Sequence, residues 1–261
     1  MKTAGELTEM AAWAERIIVA LDTPDLREVE RLCDALDDVP CWMKVGMELF
    51  YAVGPNAVEL LKKRGRRVFV DLKLHDIPNT VRGGIASLVR CGADMLNVHA
   101  TGGVRMLEAA REAVERAAGS APSTVRPLLV AVTVLTSLDR DAVNRELGIP
   151  GDVAETAVRF AKMAREAGLD GVVASTAEVR AVKEACGRSF LTVVPGLRPA
   201  GAAPDDQKRR ASPEEAAAAG ADYLVIGRPI TRAPDPRRAL ETVLTALAAA
   251  VPIRSEEESK T

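Results

Sequence analysis

The chain has 261 residues, 48% hydrophobic and 3% aromatic, which suits one large α/β domain or two small ones with aliphatic strands and Ala-rich helices at the core. Its formal net charge of -2, from Lys+Arg 35 against Asp+Glu 37, excludes a general nucleic-acid surface, so a phosphate bound here belongs to a small molecule. Cys33, Cys41, Cys91 and Cys186 show no zinc spacing and read as reduced thiols of a cytoplasmic protein, with neither a signal-like start nor an apolar run of the about 18 residues a membrane span needs.

Residues 1–15 read as an N-terminal extension. The apolar run 16–22 ends in the carboxylate of Asp22, and Thr23-Pro24 opens a helical stretch toward Leu36. The run 41–46 sets Lys44 among apolar neighbours and precedes a helix over about 55–64. After the run 68–73, Pro78 suits the first turn of a helix that reaches about Arg90, with Asp76 near its N-terminus. The run 94–99 leads to a helix over about 103–118, and 127–134 to helical stretches beyond Leu138. The run 170–174 precedes a helix through Ala185, 190–194 a long Gly/Pro/Ala loop and an Ala-rich helix, and 223–227 a last helix. The polar stretch 251–261 reads as a disordered tail.

Eight such strand-and-helix units imply a parallel sheet covered by helices. Their number and length fit a single-domain α/β fold, a (β/α)8 TIM barrel over 16–250, with no linker-like break for a second domain. A doubly wound open sheet is the structural alternative, although no Gly-x-Gly-x-x-Gly follows the first strand.

The chemistry concentrates in Asp71-Leu72-Lys73-Leu74-His75-Asp76-Ile77-Pro78-Asn79-Thr80. Strand alternation predicts Asp71 and Lys73 on one face, Leu72 and Leu74 on the other. Taken alone, that pair is also compatible with a solvated surface ion pair worth roughly 0–1 kcal/mol. The other strand ends tip the balance. Asp22, Lys44, Asn97, His99, Thr136, Ser137, Arg198 and Arg228 all fall at the ends of predicted strands, where barrels of this type keep their active sites. Gly227, Arg228 and Pro229 after the eighth strand suggest a phosphate site at a helix start, the alternative being a tight turn beside a surface arginine. The loop 195–211, with Pro195, Arg198 and Gln207, is too long and too rich in Gly and Pro for a mere connector and reads as a cover that closes over ligand. His75 and His99 suit structural hydrogen bonding better than metal ligation, because parity turns His75 away from Asp71 and Lys73 if the strand continues.

These motifs, with Ala-Leu-Asp at 20–22, Lys-Val-Gly at 44–46, Val-Thr-Val-Leu-Thr-Ser at 132–137, Pro-Gly-Leu-Arg at 195–198 and Ile-Gly-Arg-Pro-Ile at 226–230, closely resemble the orotidine 5′-phosphate decarboxylase family over about 16–248. The resemblance implies a cofactor-free, homodimeric enzyme of pyrimidine synthesis that converts orotidine 5′-phosphate to UMP and CO2, with no metal, nucleic-acid or membrane partner. It implies a catalytic array of Lys44, Asp71 and Lys73, completed by Asp76 from the other subunit, with Ile77 and Thr80 of that subunit lining the site. Asp22 would contact the ribose, Thr136 and Ser137 the pyrimidine side, and Pro195, Arg198, Gln207, Gly227 and Arg228 the phosphate end and its covering loop. The chemistry is consistent with this. Loss of CO2 from C6 leaves electron density with no neighbouring carbonyl to delocalise it, so a pre-placed cation such as Lys73 can stabilise the charge and then donate the proton. Two other readings stand beside it: a Mg2+-dependent sugar-phosphate decarboxylase or synthase of the same barrel superfamily, and a non-catalytic phosphate-ligand-binding barrel.

Overall fold

The computed structural model describes residues 3–119, 125–199 and 211–253. Short apolar runs form the strands β1 (Ile17–Leu21), β2 (Trp42–Gly46), β3 (Val68–Leu74), β4 (Met95–His99), β5 (Leu128–Val132), β6 (Gly171–Val173), β7 (Leu191–Val194) and β8 (Tyr223–Ile226). They pair in parallel in chain order, and β8 returns to β1 to close the barrel. The expected (β/α)8 architecture is therefore present.

The helices are α1 (Ala4–Ala14), α2 (Leu26–Ala35), α3 (Met47–Val53), α4 (Asn56–Lys63), α5 (Pro78–Arg90), α6 (Val104–Gly119), α7 (Val153–Glu166), α8 (Thr176–Cys186), α9 (Pro213–Ala219), α10 (Arg228–Thr231) and α11 (Pro236–Ala250). Their starts follow local chemistry. Asp25, Asp152 and Asp235 accept from backbone N–H groups of the first turns of α2, α7 and α11, and Ser212 forms a capping box with Glu215 on α9. Among the described residues no helix is long and apolar enough to cross a membrane.

Strand alternation divides the core into two layers. Ile18, Ala20, Trp42, Phe69, Met95, Val130, Val132, Val173, Val193 and Val225 fill the barrel interior. Ile17, Val19, Leu21, Met43, Val45, Val68 and Val70 face outward into the helix layer. Gly171 is needed where β6 meets β7, because a Cβ there would lie 2.2 Å from the Leu191 carbonyl oxygen.

At the N-terminal end of the barrel three aspartates repeat one arrangement. Asp94 accepts from the Val68 N–H (2.6 Å) and Lys62 Nζ (2.7 Å). Asp170 accepts from the Leu129 N–H (2.7 Å) and Arg126 Nη1 (2.9 Å). Asp222 accepts from the Thr192 N–H (2.7 Å) and Lys183 Nζ (2.6 Å). Each carboxylate ties the start of an odd strand to the start of the next even one.

Several element boundaries differ from the sequence reading. The helix expected over 55–64 is α4, and a further helix, α3, precedes it, the two being separated where Gly54 adopts φ +64°. Thr23-Pro24 does not begin α2; Thr23 Oγ1 donates to Glu28 (2.7 Å) and accepts from the Asp25 N–H (3.2 Å), leaving Asp25 as the cap. The N-terminal extension carries α1, whose Trp13 Nε1 donates to the Val251 carbonyl (2.9 Å) while Glu9 accepts from the Ile253 N–H (2.7 Å). Residues 251–253, read as the beginning of a disordered tail, are thus held by α1, and 254–261 lie outside the described residues. All four cysteines are unbridged.

Candidate active site

The inward-facing positions of the barrel change from apolar to polar as each strand reaches its C-terminal end. Below, Ala20, Trp42, Phe69 and Met95 fill the interior; two residues further along each chain stand Asp22, Lys44, Asp71 and Asn97. The same period-two rule that builds the core thus places the charges above it. They border a cavity of about 250 Å³ with apolar walls from Val132, Val173, Val193 and Val225.

Four charges of alternating sign form a chain along one side of this cavity. Lys44 Nζ lies 3.5 Å from Asp22 Oδ1 and 3.3 Å from Asp71 Oδ2, and Lys73 Nζ lies 2.6 Å from Asp71 Oδ1. Asn97 Nδ2 donates to that same Oδ1 at 2.6 Å. Lys44 and Asp71 are each 8% exposed, whereas Asp22 and Lys73 are more open to solvent. Burial pushes the Asp71 carboxyl up, but the ammonium charges of Lys44 and Lys73, with the hydrogen bonds from Lys73 and Asn97, outweigh it and hold its pKa below the usual carboxylate value. Gly46, opposite Asp71 in the strand register, leaves room for this arrangement, since a Cβ there would lie 3.0 Å from Lys44 Nζ.

Lys73 does not reach Asp71 by simple strand alternation. The β3–β4 register runs through Val70–Leu96 and resumes at Leu74–Val98, so β3 carries two more residues than β4 between those pairs. Lys73 sits in this bulge with φ +51°, the non-glycine residue with a positive φ among those described. Its N–H donates to Asn97 Oδ1 at 2.8 Å. Leu72 and Leu74 still pack outward with the helix layer, as expected. β3 ends at Leu74, so the parity premise for His75 does not apply; its exposed ring lies 5.5 Å from that of His99. Burial lowers the His99 pKa, the charges of His75 and Lys73 add to the effect, and Asp71 opposes it.

The cavity gathers Asp22, Lys44, Asp71, Lys73, Thr136, Pro195, Arg198, Gly227 and Arg228 from the sequence-predicted set. It does not gather Asp76, Ile77, Thr80 or Ser137, all of them exposed outside its lining; Asp76 Oδ1 accepts from the Ile77 N–H at 2.7 Å. Gln207 lies outside the described residues, while the stems of its loop meet where the Arg198 N–H donates to the Ala211 carbonyl at 3.0 Å. Asn97 was noted as a strand-end residue but given no role in the site; a polar amide at an inward position of an apolar strand was the signal for it. Among the described residues no group of three or more His, Cys, Asp or Glu side chains is placed to hold a metal ion.

Residues 15–243 match a family model described as "Orotidine 5'-phosphate decarboxylase / HUMPS family". A relative from Moorella thermoacetica, named orotidine 5′-phosphate decarboxylase, is 56% identical over 229 residues, which is 88% of this chain and 90% of the relative. One of the same name from Bacillus caldolyticus is 51% identical over 219 residues, 84% of this chain and 89% of its own. The crystal structure of orotidine 5′-phosphate decarboxylase from Lactobacillus acidophilus superposes with a TM-score of 0.78 at 38% identity, covering 88% of this chain and 98% of that one.

Proposed function

The chain belongs to the orotidine 5′-phosphate decarboxylase / HUMPS family, and on that premise we propose that it converts orotidine 5′-phosphate to UMP and CO2 in de novo pyrimidine synthesis, using its own Lys/Asp array and no cofactor. The observation that carries this reading is the Asp22–Lys44–Asp71–Lys73 chain of alternating charge beside an apolar cavity.

The step breaks the bond between C6 and the carboxylate, the electron pair stays on C6, and CO2 leaves. Lys73 Nζ stabilises that pair as it develops and donates the proton that gives UMP. Asp71, ionised and locked between Lys44, Lys73 and Asn97, keeps the ammonium groups in place without reorganisation during the reaction. Thr136 and Ser137 serve the pyrimidine side and Asp22 the ribose. Pro195, Arg198, Gln207, Gly227 and Arg228 serve the phosphate and its cover, so that binding energy far from C6 positions the ring.

Asp76, Ile77 and Thr80 have their place in this reading as contributions to a second subunit's site. Ile77 is 68% exposed, and Met47, Tyr51 and Val104 are also exposed apolar residues just beyond the ends of β2 and β4. An apolar rim on this end of the barrel supports a homodimer with shared sites. The four unbridged cysteines support a reducing, cytoplasmic setting.

The test is the ultraviolet absorbance change of orotidine 5′-phosphate on adding the protein, with and without EDTA. Turnover unaffected by EDTA is expected. No turnover would overturn the proposal, and EDTA-sensitive turnover would move it to the metal-dependent branch. Mixing Lys73→Ala with Asp76→Ala chains should restore part of the activity, because a mixed dimer holds one intact site; mixtures as inactive as their parents would rule out sharing.

A further inference from the structure

Asn97 is 2% exposed, in the wall of the barrel, and both ends of its amide are engaged. Nδ2 donates to Asp71 Oδ1 (2.6 Å), the oxygen that also accepts from Lys73 Nζ. Oδ1 accepts from the backbone N–H of Lys73 (2.8 Å). Lys73 occupies the left-handed region, which is disfavoured for a side chain with a Cβ, within the bulge between the Val70–Leu96 and Leu74–Val98 pairs. Where the regular ladder is interrupted, Asn97 Oδ1 is the acceptor that the bent backbone uses. The Asp71 carboxylate is divided in the same way, with Oδ2 toward Lys44 and Oδ1 shared by Lys73 and Asn97.

We propose that Asn97 is a positioning residue for decarboxylation: its one amide fixes the Asp71 carboxylate and the Lys73 backbone together, and so sets where Lys73 Nζ stands relative to C6. The proposal rests on the function inferred above. The residue type follows from the two bonds. An aspartate would present oxygen to the Asp71 carboxylate, a leucine of similar size would offer neither donor nor acceptor, and a glutamine would be one methylene too long for a closely packed wall.

Two variants test this, Asn97→Leu and Asn97→Asp, each measured for kcat and KM on orotidine 5′-phosphate, for UMP affinity and for the pH profile of kcat. Asn97→Leu is expected to lower kcat by about 100-fold, the cost typical of a misplaced catalytic group, with UMP affinity within about threefold of the wild type. Asn97→Asp keeps the acceptor for Lys73 but loses the donor to Asp71. Its kcat should be depressed at neutral pH and rise relative to the wild type toward lower pH, where the introduced carboxyl, raised by burial and by Asp71 against the opposing charges of Lys73 and Lys44, takes up a proton and can donate. Circular dichroism identifies a variant that has not folded, in which case the other carries the test. If both fail to fold, Asn97 is a structural residue and the proposal falls. An unchanged kcat, a loss of kcat matched by an equal loss of UMP affinity, or a pH profile of Asn97→Asp parallel to the wild type would each overturn it. Absence of turnover by the wild type would instead overturn the proposed function.

Discussion

The two ends of the barrel set carboxylate–cation pairs in different surroundings. At the N-terminal end, Asp94, Asp170 and Asp222 each accept one backbone N–H from a neighbouring strand and pair with one cationic side chain. At the C-terminal end, Asp71 is shared by two ammonium groups and an amide, beside a cavity. A carboxylate bonded to backbone and one cation is neutralised within the fold, and its work is to hold strand starts in register. A carboxylate that collects two lysines, one of them also paired with Asp22, holds an array of alternating charge at the edge of a cavity.

Substitutions at the two ends should therefore differ in kind. The largest effect is expected for Lys73→Ala, which in the proposed mechanism removes both the stabilising cation and the proton donor: kcat should fall by about 10⁴-fold or more, while the melting temperature shifts little because Asp71 keeps Lys44 and Asn97. A large fall in melting temperature with activity retained would reverse the assignment. Asp170→Ala should do the opposite. It strips the Leu129 N–H of its acceptor and Arg126 of one of its partners, Glu115 remaining, at a cost of about 1–3 kcal/mol, or a drop of roughly 2–12 °C in a domain of this size. Its kcat/KM should stay within about twofold of the wild type, and a much larger kinetic loss would show that the lower end is not purely structural.

The smallest effect is expected from pH. The folded pKa of His99 lies below its ordinary value, mainly through burial, so the unfolded chain binds more protons in the window below about 6.5 and stability is lost as pH falls through it. The depressed pKa of Asp71 acts in the same sense but in a lower window: its stabilisation is present above the ordinary carboxylate range and is lost only as pH falls below it. Unfolding of the wild type and of His99→Gln at pH 7.5 and 5.5 separates the two, and the variant should lose less stability between those values. Equal losses would show that His99 does not carry this dependence.

Much of the site was legible before the fold was known, because a strand's period of two relates an apolar core position to the polar position two residues beyond it. Ala20 and Asp22, Trp42 and Lys44, and Phe69 and Asp71 follow that rule. Lys73 was placed correctly for an incomplete reason: alternation put it beside Asp71, whereas a bulge and a left-handed backbone bring it there. Asp94 and Asp170 read in the sequence as mere beginnings of apolar runs, since their partners Lys62 and Arg126 lie 32 and 44 residues away in the chain. Asp76, Ile77 and Thr80 stand exposed outside the cavity, although they follow the same motif in sequence.

Local chemistry alone determined the alternation of strands and helices, the caps of Asp25, Asp152 and Ser212, and the inward direction of Lys44 and Asp71, because each depends on contacts within a few residues. The tertiary structure decided the β3–β4 bulge, the double use of the Asn97 amide and the different partner sets of the aspartates at the two ends of the barrel. Each of these is set by the register between strands, so it exists only once the barrel has closed.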